Sequence, residues 1–165
     1  MLLNRQVQTM LGLVAVAALA SAQDQVAAAT LEVTATVPNV CTIESGSLDF
    51  GTYQAGPQAQ SVQGSGGFNV QCTLPASVEI KLDGGLNDGA GGNTRAMKGP
   101  GNNDYLNYAL FEGSGFSMPW DPGVGMLYTV DSGANEIVVD GVVDEGQTVQ
   151  GGEYSDTVQI TMTFN

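Results

Sequence analysis

The side chains able to do chemistry here are few in kind. The chain has 17 aspartates and glutamates, two cysteines and no histidine in 165 residues. Without histidine, the usual nucleophilic triads and histidine metal sites are excluded. Two carboxylates could in principle cleave a glycosidic bond, but no two of the 17 acids stand out. The stretch "DGGLNDGAGGN" (83–93) has the look of a calcium loop, yet it lacks the regular ligand spacing and the closing glutamate. Trp120, Phe116 and Tyr128 could form an aromatic patch for sugar contact, but aromatics bury so much area that core packing is the better account. The expectation is a non-enzymatic chain with no cofactor and no metal.

The cysteines are read through their compartment. Arg5 sits in a short polar head, Met10 to Ala20 is an apolar run, and Ala20-Ser21-Ala22 gives a small-x-small pattern. Residues 1–22 therefore read as a secretory signal cleaved after Ala22. The run is shorter than the ~20 apolar residues a bilayer requires, and no later segment is long enough to be transmembrane. In an exported chain, Cys41 and Cys72 point to one disulfide. Free thiols or metal ligation are the alternatives, though no CxxC spacing favours metal. Closing this loop would contribute ~3.7 kcal/mol in the chain-entropy model.

Past the signal, Lys81, Arg95 and Lys98 face all 17 acids, a net charge of 3 − 17 = −14. That argues against nucleic acid and anionic membrane surfaces as partners. Scattered acids of this kind make a soluble, self-repelling surface.

The elements that would position any site are strands. No helical periodicity appears after the signal. Glycine, at 23 of 165 residues, is about twice its usual ~7% and clusters between short alternating runs. Those runs are Ala27–Val37, Leu48–Tyr53, Phe68–Thr73, Val78–Leu82, Tyr105–Phe111, Met126–Val130, Ile137–Val143 and Tyr154–Phe164. Phe68, Val70 and Cys72 share one face, and Val78, Ile80 and Leu82 another. Gly51 marks a bulge or a close approach. The longest loop, 83–104, reads as mobile surface. The pattern is that of an all-β sandwich.

The two ends of the mature chain raise a specific possibility. Tyr154–Phe164 alternates strictly, so Val158, Ile160, Met162 and Phe164 should face the core. Tyr154 and Asp156 share that face, an odd place for an aspartate unless it is hydrogen-bonded at a strand start. If this is the sixth strand of an immunoglobulin-type sandwich, the seventh is missing, and an acceptor groove lies beside Val158, Ile160, Met162 and Phe164. Ala27–Val37 has no turn residue before Pro38, and its eleven residues can reach ~36 Å. It could be a donor strand for another copy, presenting Ala27, Ala29, Leu31 and Val33. Ala35 and Val37 would then belong to the subunit's own first strand. The alternative is that 27–37 is simply the domain's own first strand behind a short tail.

The motifs "LDFGTY" (48–53), "FNVQCT" (68–73), "IKLDGG" (80–85), "TRAM" (94–97), "LNYALF" (106–111) and "GGEYSDTVQITMTF" (151–164) together resemble the spore coat protein U domain family, which includes subunits of archaic chaperone–usher pili. Two places depart from it: Asp121 follows Trp120 where the family often has glycine, and 137–147 matches loosely. The resemblance implies an incomplete immunoglobulin-like β-sandwich completed by a donor strand from another subunit. It also implies a Cys41–Cys72 disulfide, a periplasmic chaperone, an outer-membrane usher and head-to-tail assembly of copies or related pilins into a surface fibre for attachment or biofilm formation. The expected organisation is a signal at 1–22, a donor segment at 23–37 running into the first strand, and a pilin domain at 38–165. The competing expectation is a self-contained secreted sandwich that binds carbohydrate or a coat component.

Overall fold

The structure is a computed structural model that describes residues 25–90, 95–113 and 115–164. The expected signal at 1–22 lies outside them. The chain divides into two units, Met1–Thr36 and Val37–Asn165. In the first, residues 25–36 hold no strand, and Leu31 and Val33 are 88% and 81% exposed.

In the second unit, the described residues contain strands β1 (Cys41–Ile43), β2 (Ser47–Leu48), β3 (Val62–Cys72), β4 (Ala76–Leu82), β5 (Ala96–Lys98), β6 (Tyr105–Glu112), β7 (Gly125–Val130), β8 (Gly133–Val143) and β9 (Ile160–Phe164). They form two antiparallel sheets. One runs β1–β3–β8–β6–β5, with β2 also on β3; the other is β7–β4–β9. Among the described residues no helix is long and apolar enough to cross a membrane.

Alternation decides what goes inside. Val78, Ile80 and Leu82 point inward from β4, and Phe68, Val70 and Cys72 from β3. Leu106, Tyr108 and Leu110 of β6 and Ile137, Val139 and Val143 of β8 join them in one core. Trp120 is wholly buried in that core, its ring centroid 6.2 Å from that of Tyr128. Phe116 lies half-buried against Phe111 at 5.9 Å.

The β2, β3 and β8 backbones come unusually close. A Cβ on Gly66 would stand 2.0 Å from the Ser47 carbonyl oxygen, and one on Gly67 2.4 Å from that of Ile137. Only glycine lets β3 lie between β2 and β8 here.

Several expectations need correction. The first strand of the domain starts at Cys41; residues 35–40 hold no strand, so Ala35 and Val37 are not part of one. Pro38 supplies no N–H for a ladder. Leu48–Tyr53 is a strand only at its start. Gly51 is neither bulge nor close approach: with φ at +67° and open space around its Cβ position, it closes a turn in which Gly51 N donates to Asp49 Oδ1 at 2.8 Å. The 83–104 segment is not simply mobile surface, because it contains β5 and buries Arg95 and Ala96. Finally, the C-terminal ladder covers only Ile160–Phe164, and Phe164 is 37% exposed rather than in the core. It pairs with Val78 at the end of the ladder and is not among the residues packed against the core.

Candidate functional site

The unusual region of the domain is the segment leading into β9. β9 pairs with β4 from Val78↔Phe164 to Leu82↔Ile160 and is the edge of its sheet. One step further, Asp83 N donates to Gln159 O at 3.1 Å, and Gln159 N donates to Asp83 Oδ1 at 2.8 Å. Earlier still, Ser155 and Lys98 exchange both backbone bonds, at 2.9 and 3.1 Å. In an antiparallel pair such exchange recurs at every second residue. The backbone groups of Ser155, Gln159, Thr161 and Thr163 therefore turn towards β5, Asp83 and β4. Those of Val158, Ile160, Met162 and Phe164 turn the other way, where no strand lies among the described residues.

On that open side runs a groove of about 420 Å³. One wall is Gly46–Phe50; the other is Tyr154–Val158 with Ile160. Its floor is the inner face of the larger sheet, including Phe68, Tyr108, Leu110 and Val139. A second hollow of about 590 Å³ continues it past Leu48, Phe50, Met97, Tyr154 and Ser155 towards Tyr53 and Val149. The walls run in opposite directions, since Gly46 and Ile160 flank one end while Tyr53 and Val149 flank the other. The result is a trough with an apolar floor and a strand-like wall whose backbone groups lack a ladder partner on one side. A peptide in extended conformation is the ligand such a trough suits, because it supplies backbone bonds to the wall and alternate side chains to the floor.

Of the expected acceptor residues, Val158 and Ile160 line this groove. Met162 and Phe164 lie further along β9, opposite Ile80 and Val78. The expected donor residues Ala27, Ala29, Leu31 and Val33 lie in the separate N-terminal unit, exposed and outside any strand. Cys41 and Cys72 are joined by a disulfide and stand directly opposite each other in the β1–β3 ladder.

Polar side chains hold the wall. Asp156 Oδ1 accepts from Leu86 N (2.9 Å), Asn87 Nδ2 (3.2 Å) and Thr157 N (2.9 Å), and its Oδ2 accepts from Tyr108 Oη (2.8 Å). Burial, then the bond to Asp156, pushes the Tyr108 phenol well above the ordinary tyrosine range. The Tyr154 phenol donates to Asp104 and also contacts the Gln150 carbonyl at 2.8 Å; burial and Asp104 push it up to about 12. Arg95, 2% exposed, donates to the carbonyls of Asp83 (2.9 Å), Trp120 (2.6 Å) and Leu82 (3.4 Å). Burial lowers its pKa, opposed by the charges of nearby acids. In the calcium-like stretch, Asp83 Oδ1 is already taken by Gly85 N (2.9 Å) and Gln159 N; residues 91–93 lie outside the described set. Sequence reasoning missed the Gly46–Phe50 wall and the Tyr108 and Arg95 anchors. The one available signal was an aspartate on the apolar face of a strand.

The spore coat protein U domain model matches residues 27–161. "Protein U" of Myxococcus xanthus is 33% identical over 161 residues, covering 89% of this chain and 90% of that protein. Among solved structures, the fold is similar to a chain in the crystal structure of the CsuC–CsuE chaperone–tip adhesion subunit pre-assembly complex from archaic chaperone–usher Csu pili of Acinetobacter baumannii. The TM-score is 0.53 at 25% identity, covering 77% of this chain and 40% of that one. The present chain thus spans less than half of that structural relative. It belongs to the spore coat protein U domain family, a structural, non-enzymatic family of coat and pilin-like proteins.

Proposed function

We propose that this chain is an exported fibre subunit that polymerises by strand donation, the N-terminal segment of one copy filling the groove of the next. The observation carrying this reading is the one-sided β9 wall: Val158 and Ile160 offer side chains to a groove and backbone groups to an absent strand. Residues 27–33 have the matching chemistry. They are extended-compatible, free of glycine and proline, and carry Ala27, Ala29, Leu31 and Val33 on one face. Burying Leu31 and Val33 would each contribute about 1.5–3 kcal/mol. A copy that donates at one end and accepts at the other makes a heterologous contact that does not close, hence a filament.

Before a neighbour arrives, an open edge of this kind invites aggregation. The likeness to a subunit solved with its chaperone supports a periplasmic chaperone as the interim occupant, and an outer-membrane usher as the place of exchange. Surface attachment or biofilm formation is the corresponding role. The likeness to Protein U supports a second destination for the same polymer, a coat layer rather than a pilus. A self-contained carbohydrate-binding sandwich fits less well, since it leaves the groove and the one-sided wall without a purpose.

Deleting residues 23–33 tests the proposal. The expected product is an exported subunit that does not polymerise, read by electron microscopy of surface filaments and by gel mobility. Polymers of normal length from this deletion would refute it, as would a durable chaperone-free monomer of the full mature chain.

A further inference from the structure

An empty trough receives a strand quickly only if its wall is already straight. Between the Lys98 bonds at Ser155 and the Asp83 bonds at Gln159, residues 156–158 have no strand beside them among the described residues. What spans that gap is the Asp156 carboxylate. Through it the wall is tied to the 85–87 loop by Leu86 N and Asn87 Nδ2, to the groove floor by Tyr108, and to its own next residue by Thr157 N. The loop is shaped to it: Gly85 has φ at +79°, and a Cβ there would lie 2.0 Å from Asp156 Oδ2.

We propose that Asp156 is a positioning residue that holds the acceptor wall extended before a strand arrives, so that it sets the rate of strand uptake more than the lifetime of the filled groove. The uptake part rests on the strand-donation reading above; the positioning part does not. Prepaying the ordering of a binding segment favours association, whereas once a strand is seated its own ladder holds the wall, and loss of Asp156 matters less.

Two measurements separate the parts. The first is amide hydrogen exchange on the full mature protein. In Asp156→Ala, the Ser155 and Gln159 amides, whose acceptors are Lys98 and Asp83, should exchange about tenfold faster, with Val78 and Ile80 in β4 little changed. Asp156→Asn, which can still accept from Leu86 N and Thr157 N and donate to Tyr108, should restore slow exchange. Should Asp156→Ala fail to fold, Tyr108→Phe keeps the ring and removes one partner, and about threefold faster exchange at the same two amides is expected. Exchange at Ser155 and Gln159 that rises no more than in β4 overturns the positioning role. The second is uptake of a synthetic peptide of residues 25–37. Association should slow about tenfold in Asp156→Ala with dissociation nearly unchanged; a loss carried wholly by dissociation overturns the rate claim. If the unaltered protein takes up no peptide, strand donation and the rate claim both fail, while the exchange result still decides what Asp156 holds.

Discussion

Strands β3 and β9 lie on opposite sides of one core and are completed in opposite ways. β3 has β8 along ten of its residues on one side and β1 and β2 on the other. Its register is fixed by backbone approaches that only glycine permits and by a disulfide at its end. β9 has β4 on one side and a groove on the other. Its leading segment is held by one backbone exchange with Lys98 of β5 and by the side chains of Asp156, Tyr154 and Asp83. Among the described residues, then, β3 is paired on both sides and β9 on one. If strands are donated as proposed, stability should reside in the first sheet and partner dependence in the second.

The largest expected effect is on the finished side. Replacing both Cys41 and Cys72 by serine should cost about 2–5 kcal/mol of subunit stability, read from urea midpoints. A loss equally large on β9 truncation, with none here, would reverse the comparison. Next, Gly66→Ala forces a Cβ against the Ser47 carbonyl and should cost about 1–3 kcal/mol, by analogy with overpacked cores. Val158→Ala should cost the empty subunit under about 1 kcal/mol, because this half-buried side chain faces the groove; the same change should weaken peptide uptake clearly. Equal effects on both would mean the groove is already closed in solution.

The smallest effect is alkaline. Tyr108 and Tyr154 are both raised above the ordinary value of 10.0. Above that pH the unfolded chain releases protons that the folded one keeps. Stability should be untouched below pH ~10 and fall as pH rises towards ~12. Denaturation midpoints at about pH 9 and 11.5 should show this, with a shallower fall in Tyr108→Phe.

Much of the frame was legible. The inward faces of β3 and β4 follow from alternation, since a strand places successive side chains on opposite faces whatever its neighbours are. The disulfide followed from two cysteines in a chain that reads as exported. The lengths of the end strands were not legible. Alternation at 154–159 is as regular as at 160–164, yet only the latter has a ladder, because β4 ends at Leu82 and the chain turns away into the loop after Asp83. Likewise Ala35 and Val37 alternate well but lie in no strand.

By itself, then, the sequence determined which side chains of β3 and β4 face the core, because that depends on local period and polarity; at the chain end, where Phe164 is exposed, it did not. Tertiary structure alone decided which backbone groups find a partner. Pairing depends on where other strands stop, and nothing within a strand records that. For the same reason only the fold could show that Arg95, one of the chain's few cations, is a buried clasp for three carbonyls. It likewise made an aspartate on an apolar face the anchor of the groove wall.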